Sequence, residues 1–311
     1  MNIGLRAFDA DAMTGIAPVM MTPFLDDGSI DLASFDRVVE YLVGLEVPAI
    51  MFPGFASEFY KLSDREKVAL GTRLIGLLSG TQTVPILAVH AHATTVAVAE
   101  ARAWVDAGAT ALNILPPHYM SPSRSALIEH CDKVLQAVSD TSVVLQYAPA
   151  GAAGLLADDV RQLAASHPNL VGVKVEARPP YGFIAELQSA DAPVACMIGN
   201  GGLYMLDSLR AGAVGVQPGA GFVELYQAIL AAWTAQRTDD AADVFGRLVP
   251  YLLGWAHTQE SMVAVEKRIA HRRGLVASPA CRSPHRGSGA LDEVAIDRFL
   301  DEFNQIITEV S

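Results

Sequence analysis

The chain has 311 residues, of which 51% are apolar and 18% are charged. This length and composition predict one large α/β domain, or a barrel with a small extension, rather than two equal domains. The formal net charge of −12 argues against nucleic acid or an anionic membrane as a partner. No apolar run approaches the ~18 residues of a membrane span, and the N-terminus lacks the basic and apolar segments of a secretion signal. We therefore expect a cytoplasmic protein.

The cysteines Cys131, Cys196 and Cys281 are odd in number and widely spaced. They form no CxxC pair and show no zinc-ligand spacing. We interpret them as buried, reduced thiols, which are typical of cytoplasmic proteins. They predict neither a metal site nor a cofactor site.

Short apolar runs alternate with longer amphipathic stretches along the chain. The first stretch, 30–46, has apolar residues at helical spacing. The second, 63–80, begins with Ser63 and Glu66 in the pattern of a capping box. The apolar runs predict strands, in chain order, at 15–22, 48–54, 84–91, 110–117, 142–149, 170–177, 193–200 and 213–219.

Strands that alternate with helices pair in parallel, and eight such units predict a closed (β/α)8 TIM barrel. We assign the barrel to residues 14–236. The remaining residues, 237–311, predict a C-terminal helical extension. Within it, 277–290 is rich in Ser, Pro and Gly and is typical of a loop.

Lys174 interrupts the apolar run "LVGVKVEA" of the predicted sixth strand. Alternation along a barrel strand places Lys174 and Glu176 on one face, and active sites of this fold lie at the carboxyl ends of the strands. A desolvated lysine there loses preference for its ammonium form, and its neutral amine can form a Schiff base with a carbonyl. The alternative is a structural lysine paired with Glu176, and periodicity alone leaves both open.

Two neighbouring strand ends carry further polar groups. Tyr147 ends the predicted fifth strand, where a phenol beside a lysine can relay protons or simply pack at the rim. After the second strand, "GFASEF" (54–59) offers peptide N–H groups and Ser57 in front of a helix. That arrangement suits a carboxylate, although an ordinary βα turn has the same composition.

His90 and His92 form an HxH pattern on the third strand, so they share a face. Some metal sites use this spacing, but no third ligand is evident. We expect His92 to face the barrel mouth, where it would contact substrate hydroxyls or transfer protons. A histidine packed in the core is the alternative.

Six segments in these positions resemble the dihydrodipicolinate synthase / N-acetylneuraminate lyase superfamily. The resemblance extends from about residue 14 to 308. It implies a (β/α)8 barrel with a C-terminal helical extension, usually a homotetramer, with a homodimer as the alternative. The segments are "APVMMTPFLDDGSID" (17–31), "GFASEFYKLSDREK" (54–67), "LPPHYMSPS" (115–123), "YAPAG" (147–151), "GVKVEA" (172–177) and "GAVGVQPGAG" (212–221).

The resemblance also implies roles for individual residues. Lys174 matches the Schiff-base lysine of the family, and Tyr147 matches its proton-relay tyrosine. Tyr119 matches a tyrosine that reaches across a subunit interface. Residues 54–58 match the Gly-Thr-Thr-Gly-Glu loop that holds the keto-acid carboxylate, and Glu58 keeps the family residue type.

Several positions depart from the family pattern. Phe55 and Ala56 replace both loop threonines, so the family's proton relay is broken or rewired. Ala152 replaces the arginine that binds the aldehyde's carboxylate in dihydrodipicolinate synthases, and Gln217-Pro218 replaces an apolar residue and a serine. "IGNG" (198–201) stands where many members carry acidic residues. These changes argue against the lysine-pathway reaction.

The altered loop resembles instead the sugar-acid branch of the family, in particular 2-keto-3-deoxyarabonate dehydratases. Shared features are the run Ser57-Glu58-Phe59, the "APA" after the strand-five residue, glycines near 220–222 and a histidine that matches His92. The strand-five residue of that branch need not be a tyrosine.

We predict a class I lyase that forms a Schiff base with a 2-keto acid, either pyruvate or a 2-keto-3-deoxy sugar acid, and acts by dehydration or aldol chemistry without a metal. Alternatives are 4-hydroxy-tetrahydrodipicolinate synthase itself, a non-catalytic barrel that binds keto acids, and a metal-dependent class II aldolase built on His90 and His92. The predicted catalytic residues are Lys174 and Tyr147, and the predicted substrate-binding residues are Ala56, Ser57, Glu58, Tyr119, His92 and Gln217.

Overall fold

The computed structural model describes residues 8, 13–120, 122–149, 154–189, 192–287 and 289–309. Its strands pair in parallel in the order β1-β8-β7-β6-β5-β4-β3-β2. The predicted (β/α)8 barrel is therefore confirmed. The strands are β1 (Gly15–Ile16), β2 (Ala49–Phe52), β3 (Val84–Val89), β4 (Ala111–Ile114), β5 (Ser142–Tyr147), β6 (Leu170–Val175), β7 (Cys196–Ile198) and β8 (Gly215–Val216).

A helix follows each strand, and the C-terminal part of the chain adds further helices. The barrel helices are α1 (Leu32–Gly44), α2 (Asp64–Leu78), α3 (Thr94–Asp106), α4 (Arg124–Ala137), α5 (Ala157–Ser166), α6 (Tyr181–Gln188), α7 (Met205–Arg210) and α8 (Val223–Thr234). The extension contains α9 (Thr238–Trp255), α10 (Gln259–Arg272) and α11 (Ala290–Glu309).

Val19 brings the two edges of the sheet together. Its backbone bridges Met51 in β2 on one side and Gly219, just beyond β8, on the other. Strand β1 itself pairs with β8. The eight strands thereby form a nearly closed barrel, which directs alternate side chains into a shared interior.

The barrel buries two apolar layers. The inner layer is formed by alternate strand residues such as Met51, Ile86 and Val144, and the outer layer lies between the strands and the surrounding helices. Helix α1 shows how the outer layer forms, because Phe35, Val38, Val39 and Leu42 are buried at helical spacing on one face.

Two predicted local features, a helix cap and a loop, are present in the structure. Ser63 caps α2, and its hydroxyl accepts from the peptide N–H of Glu66 while the Glu66 carboxylate accepts from the N–H of Ser63. The predicted Ser-, Pro- and Gly-rich loop is non-helical in its described part, and α11 begins at Ala290.

Aromatic contacts attach the extension to the barrel. Phe299 of α11 lies 5.1 Å from Phe222, just before α8, and 5.2 Å from Trp255 at the end of α9, measured between ring centroids. Helix α10 lies over the carboxyl ends of the strands, where Met262 and Val263 line the cleft described below. In the described part of the chain, no helix is both long and apolar enough to span a membrane.

Candidate active site

A cleft opens at the carboxyl ends of the strands, beneath α10. Its cavity volume is about 50 Å³, and it opens to solvent at its mouth. Its polar lining comes from four parts of the chain that are distant in sequence. These side chains are Lys174, Glu176, Asn200, Gln217, Gln259 and Glu266.

Lys174 lies at the base of this cleft. It is only 3% exposed, and its Nζ is 3.3 Å from Oε1 of Glu176. Both residues have the inward phase of β6, as alternation along the strand predicts. The amine thus has a carboxylate neighbour and also borders the open space of the cleft.

The Glu176 carboxylate is fixed by a chain of buried amides. Gln146 donates to its Oε2 at 2.6 Å, and Asn113 donates to Oε1 of Gln146 at 2.7 Å. Gly199 leaves room for the glutamate, because a Cβ at this position would lie 2.3 Å from Cγ of Glu176. The chain runs from β4 through β5 to the end of β6, and it holds the carboxylate beside the amine.

Gln217 follows β8 and also lines the cleft. It is 2% exposed, and neither its Nε2 nor its Oε1 has a hydrogen-bond partner among the described residues. Leaving such groups buried and unpaired costs about 1–3 kcal/mol each. An amide that is buried without partners at the edge of a cleft is well suited to bind a polar ligand.

Tyr147 does not lie beside Lys174. Its neighbour Gln146 takes the inward position of β5 and pairs in register with Lys174. The Tyr147 ring stacks instead on Phe183 of α6, with centroids 3.9 Å apart and planes at 7°. Burial raises the pKa of the phenol, with a smaller contribution from Glu186. The amide of Gln146 therefore occupies the place predicted for the phenol, because the inward-facing residue at this end of β5 is Gln146 and not Tyr147.

Ser57 serves the loop rather than the cleft. Its hydroxyl donates to the carbonyl oxygen of Met20 and accepts from the N–H of Gly54, while Thr22 donates to its carbonyl oxygen. The side chain is fully buried. Of this loop, Phe55 and Ala56 line the cleft.

Glu58 also faces away from the cleft, contrary to the predicted role in substrate binding. Its carboxylate is fully buried and pairs with Lys267 of α10 and, at 3.0 Å, with Lys61. It also accepts from the peptide N–H of Arg282. This carboxylate ties the loop to the C-terminal extension, because Lys267 and Arg282 are more than two hundred residues away in the chain.

His92 and Tyr119 lie together in a separate groove. Their rings are 4.0 Å apart, and Tyr119 is 68% exposed. His90 stacks on Phe59 at 4.0 Å, and burial lowers the pKa of its imidazole to about 3. Neither histidine borders the Lys174 cleft, and the resolved ranges contain no cluster of side chains that could hold a metal.

Glu266 of α10 is a cleft residue that the sequence interpretation missed. It is 4% exposed, and burial raises the pKa of its carboxyl group to about 8. A signal was available, because Met262, Val265 and Ile269 are buried on the same helix. Glu266 therefore stands in a core-facing position of an amphipathic helix, where a carboxyl group needs an explanation.

The remaining sequence predictions concern the three cysteines and position 152. Cys131 and Cys196 are buried free thiols, and burial raises the pKa of each to about 12. Cys281 is partly buried, and its pKa is raised to about 11. Ala152, where the family pattern has an arginine, lies outside the described residues.

The fold and the cleft together define a barrel enzyme whose chemical groups sit at the carboxyl ends of the strands. The sequence profile of the Dihydrodipicolinate synthetase family matches residues 12–293, so the chain belongs to this family. Its relatives include a dehydratase and synthases, and this chain is a lyase-type enzyme.

Individual relatives differ in their named reactions. The L-2-keto-3-deoxyarabonate dehydratase of Azospirillum brasilense is 26% identical over 276 residues, covering 87% of this chain and 88% of the relative. The 4-hydroxy-tetrahydrodipicolinate synthase of Methanosphaerula palustris is 29% identical over 272 residues, covering 85% and 91%. The crystal structure of dihydrodipicolinate synthase from Rhodopseudomonas palustris superposes with a TM-score of 0.85 at 26% identity, covering 95% of this chain and 99% of that one.

Proposed function

We propose that the protein is a Schiff-base-forming lyase that acts on a 2-keto acid, with a 2-keto-3-deoxy sugar acid as the preferred class of substrate. The observation that carries the proposal is the Lys174 amine, buried at the base of a cleft beside a fixed carboxylate and an unpartnered amide. The similarity to a sugar-acid dehydratase supports the substrate class.

Glu176 supplies the proton transfers around Lys174. Its carboxylate accepts a proton from the ammonium group 3.3 Å away, and the neutral amine attacks the C2 ketone. The carbinolamine hydroxyl then takes that proton and leaves as water, which gives an iminium ion. The regenerated carboxylate next removes a proton from C3, the C–H electron pair forms the C2=C3 bond, and the C=N π pair moves onto nitrogen to give an enamine.

Gln217 and the loop after β2 hold the substrate. The peptide N–H groups of Phe55 and Ala56 begin a 3-10 turn and have no acceptor within the described ranges. The keto-acid carboxylate accepts from these groups, and the Gln217 amide pairs with an oxygen of the substrate. Because Phe55 and Ala56 are apolar, neither position supplies a hydroxyl group for the proton transfers, which fall to other groups.

Borohydride trapping tests the proposal. The purified protein is incubated with pyruvate, or with racemic 2-keto-3-deoxy pentonates and hexonates, and is then reduced. We expect a stable mass adduct that maps to the peptide containing Lys174. The other lysines, Lys61, Lys67, Lys133 and Lys267, serve as internal controls and should stay unlabelled. An absence of any adduct, or an adduct on another lysine, would overturn the Schiff-base assignment and favour a barrel that only binds keto acids.

Substrate preference is tested by turnover across the same panel. The proposal expects water loss from a 2-keto-3-deoxy sugar acid, detected as a new keto product by mass spectrometry. Condensation of pyruvate with aspartate semialdehyde at a higher kcat/KM would instead assign the synthase reaction named for the second relative.

A further inference from the structure

Glu266 shares the cleft of Lys174 but comes from the C-terminal extension. It lies on α10, whose residues Met262 and Val263 also line the cleft, so this helix forms part of the roof. The active-site lysine therefore faces groups from both the barrel and the extension. Of these, the Glu266 carboxyl has no ion-pair partner in the described part of the chain, and burial is the sole cause of its altered pKa.

The carboxyl group is held against the end of β8. A Cβ built at Gly219 would lie 1.8 Å from Oε2 of Glu266 and 2.2 Å from its Oε1. Only a residue without a side chain leaves room here. Gly219 follows Gln217 by two positions, and the carboxyl group and the unpartnered amide line the same cleft.

Burial without a cationic partner keeps this group neutral. An ionised carboxylate in such surroundings is costly, and the group takes up a proton instead. With a pKa raised to about 8, it carries its proton at neutral pH. The titratable groups that line the same cleft are Lys174 and Glu176, and Glu266 also raises the pKa of Tyr226 in α8 in part.

We propose that Glu266 is the general acid of this cleft and donates its proton to the hydroxyl group that leaves C4 of a bound 2-keto-3-deoxy sugar acid. The inference rests on the proposed function and deepens it, because it assigns dehydration rather than aldol chemistry. The two glutamates then have different roles. The Glu176 carboxylate next to the amine removes the C3 proton, and the neutral Glu266 carboxyl group protonates the leaving hydroxyl.

The elimination balances as follows. The nitrogen lone pair of the enamine re-forms the C=N bond, and the C2=C3 electron pair becomes the C3=C4 bond. The C4–O bond breaks, its electron pair stays on oxygen, and that oxygen takes the proton of Glu266. Water departs, and Glu266 is left as a carboxylate that regains a proton from solvent. Hydroxide is a poor leaving group, so this protonation accelerates the step by about 10²–10⁴-fold.

Glu266→Gln tests the assignment with a side chain of the same shape. We expect borohydride trapping on Lys174 with pyruvate to be retained, while dehydration of the hydroxy acid falls by about 10²-fold or more. A 4-fluoro analogue of the substrate separates an acid from a merely structural residue, because fluoride leaves without protonation. The variant should release fluoride within about threefold of the unmodified enzyme.

The pH profile provides a second readout. A required acid must be protonated, so kcat of the unmodified enzyme should decline as the pH rises through about 8. Glu266→Gln should lose this alkaline limb. Glu129→Gln, on the exposed face of α4, is the matched control and should keep both the rate and the profile.

The outcomes separate the inference from the function on which it rests. An absence of the adduct in the unmodified enzyme would defeat the proposed function itself. An adduct with undiminished dehydration in Glu266→Gln, or equal losses for hydroxide and fluoride, would overturn the role of Glu266 alone. If Glu266→Gln does not fold, Gly219→Ala displaces the same carboxyl and should reproduce the selective loss.

Discussion

Lys174 and Lys267 are both almost fully buried lysines that face a glutamate, yet their surroundings differ. Lys267 pairs with Glu58 and donates to the carbonyl oxygen of Ala280 at 3.1 Å. Glu58 is in turn held by Lys61 and by the Arg282 peptide. Lys267, Glu58 and Lys61 thus each have an ion-pair partner, and the cluster joins a barrel loop to the extension.

Lys174 has one carboxylate partner and otherwise borders a cleft that also holds an unpartnered amide. Burial lowers the pKa of Lys267 despite the opposing effect of Glu58, although this lysine does not line the cleft. The displaced pKa of Lys267 thus follows mainly from burial, whereas the open space and unsatisfied groups next to Lys174 mark a site for ligand chemistry.

The largest effect is expected from the lysine of the cleft. Lys174→Met should remove the borohydride adduct and lower turnover by at least about 10³-fold, since the covalent intermediate can no longer form. Far-UV circular dichroism should be unchanged. Lys174→Met with substantial remaining turnover would show that the two lysines do not differ in the way proposed.

Lys267→Met should act on stability instead. It leaves the buried Glu58 carboxylate with Lys61 as its ion-pair partner, so the loss in the free energy of unfolding should stay below the about 3–5 kcal/mol of a fully unpaired buried charge. Urea unfolding measures this loss, and trapping on Lys174 should persist in the folded fraction. The double variant Glu58→Gln/Lys267→Met should recover part of the loss, because it removes the buried carboxylate together with the lysine, while Lys61 keeps Glu260 as a partner. Equal costs for the single and double variants would argue against this pairing.

Gln217→Leu should weaken substrate binding without lowering the stability of the fold. Replacing an amide that has no partner removes a buried, unsatisfied group, so the melting temperature should stay level or rise. Substrate loses its partner, and KM should increase about tenfold. Steady-state kinetics and a thermal melt measure the two effects on one preparation. A lower melting temperature with an unchanged KM would make Gln217 a structural residue.

Features fixed by neighbours in sequence were predictable here. The cap at Ser63 and Glu66 depends on contacts three residues apart, and the inward phase of Lys174 follows from alternation along one strand. Both were read from the residues alone. The eight strand–helix units were predictable for the same reason, since each is a local pattern.

Contacts between distant segments were not predictable in this way. Glu58 matches a substrate-binding loop by type, but Lys267 of α10 draws its carboxylate away from the cleft. Glu266 reaches the cleft only because the extension folds back over the barrel mouth. A single sequence shows which residues share one face of a helix, but it does not show which strand end that helix will cover. The surroundings of both glutamates therefore became visible only in the folded structure.

The smallest effect is expected from the tyrosine predicted to relay protons. Tyr147→Phe keeps the ring that stacks on Phe183 and removes only the hydroxyl, so kcat should change by less than about threefold. Gln146→Leu is the informative partner variant, because it breaks the chain from Asn113 to Glu176 and should lower kcat by about tenfold. Steady-state turnover of both variants on one substrate decides between them. A larger loss of kcat in Tyr147→Phe than in Gln146→Leu would show that the phenol relays protons after all. The expected order instead means that the inward-facing amide of Gln146 supports Glu176.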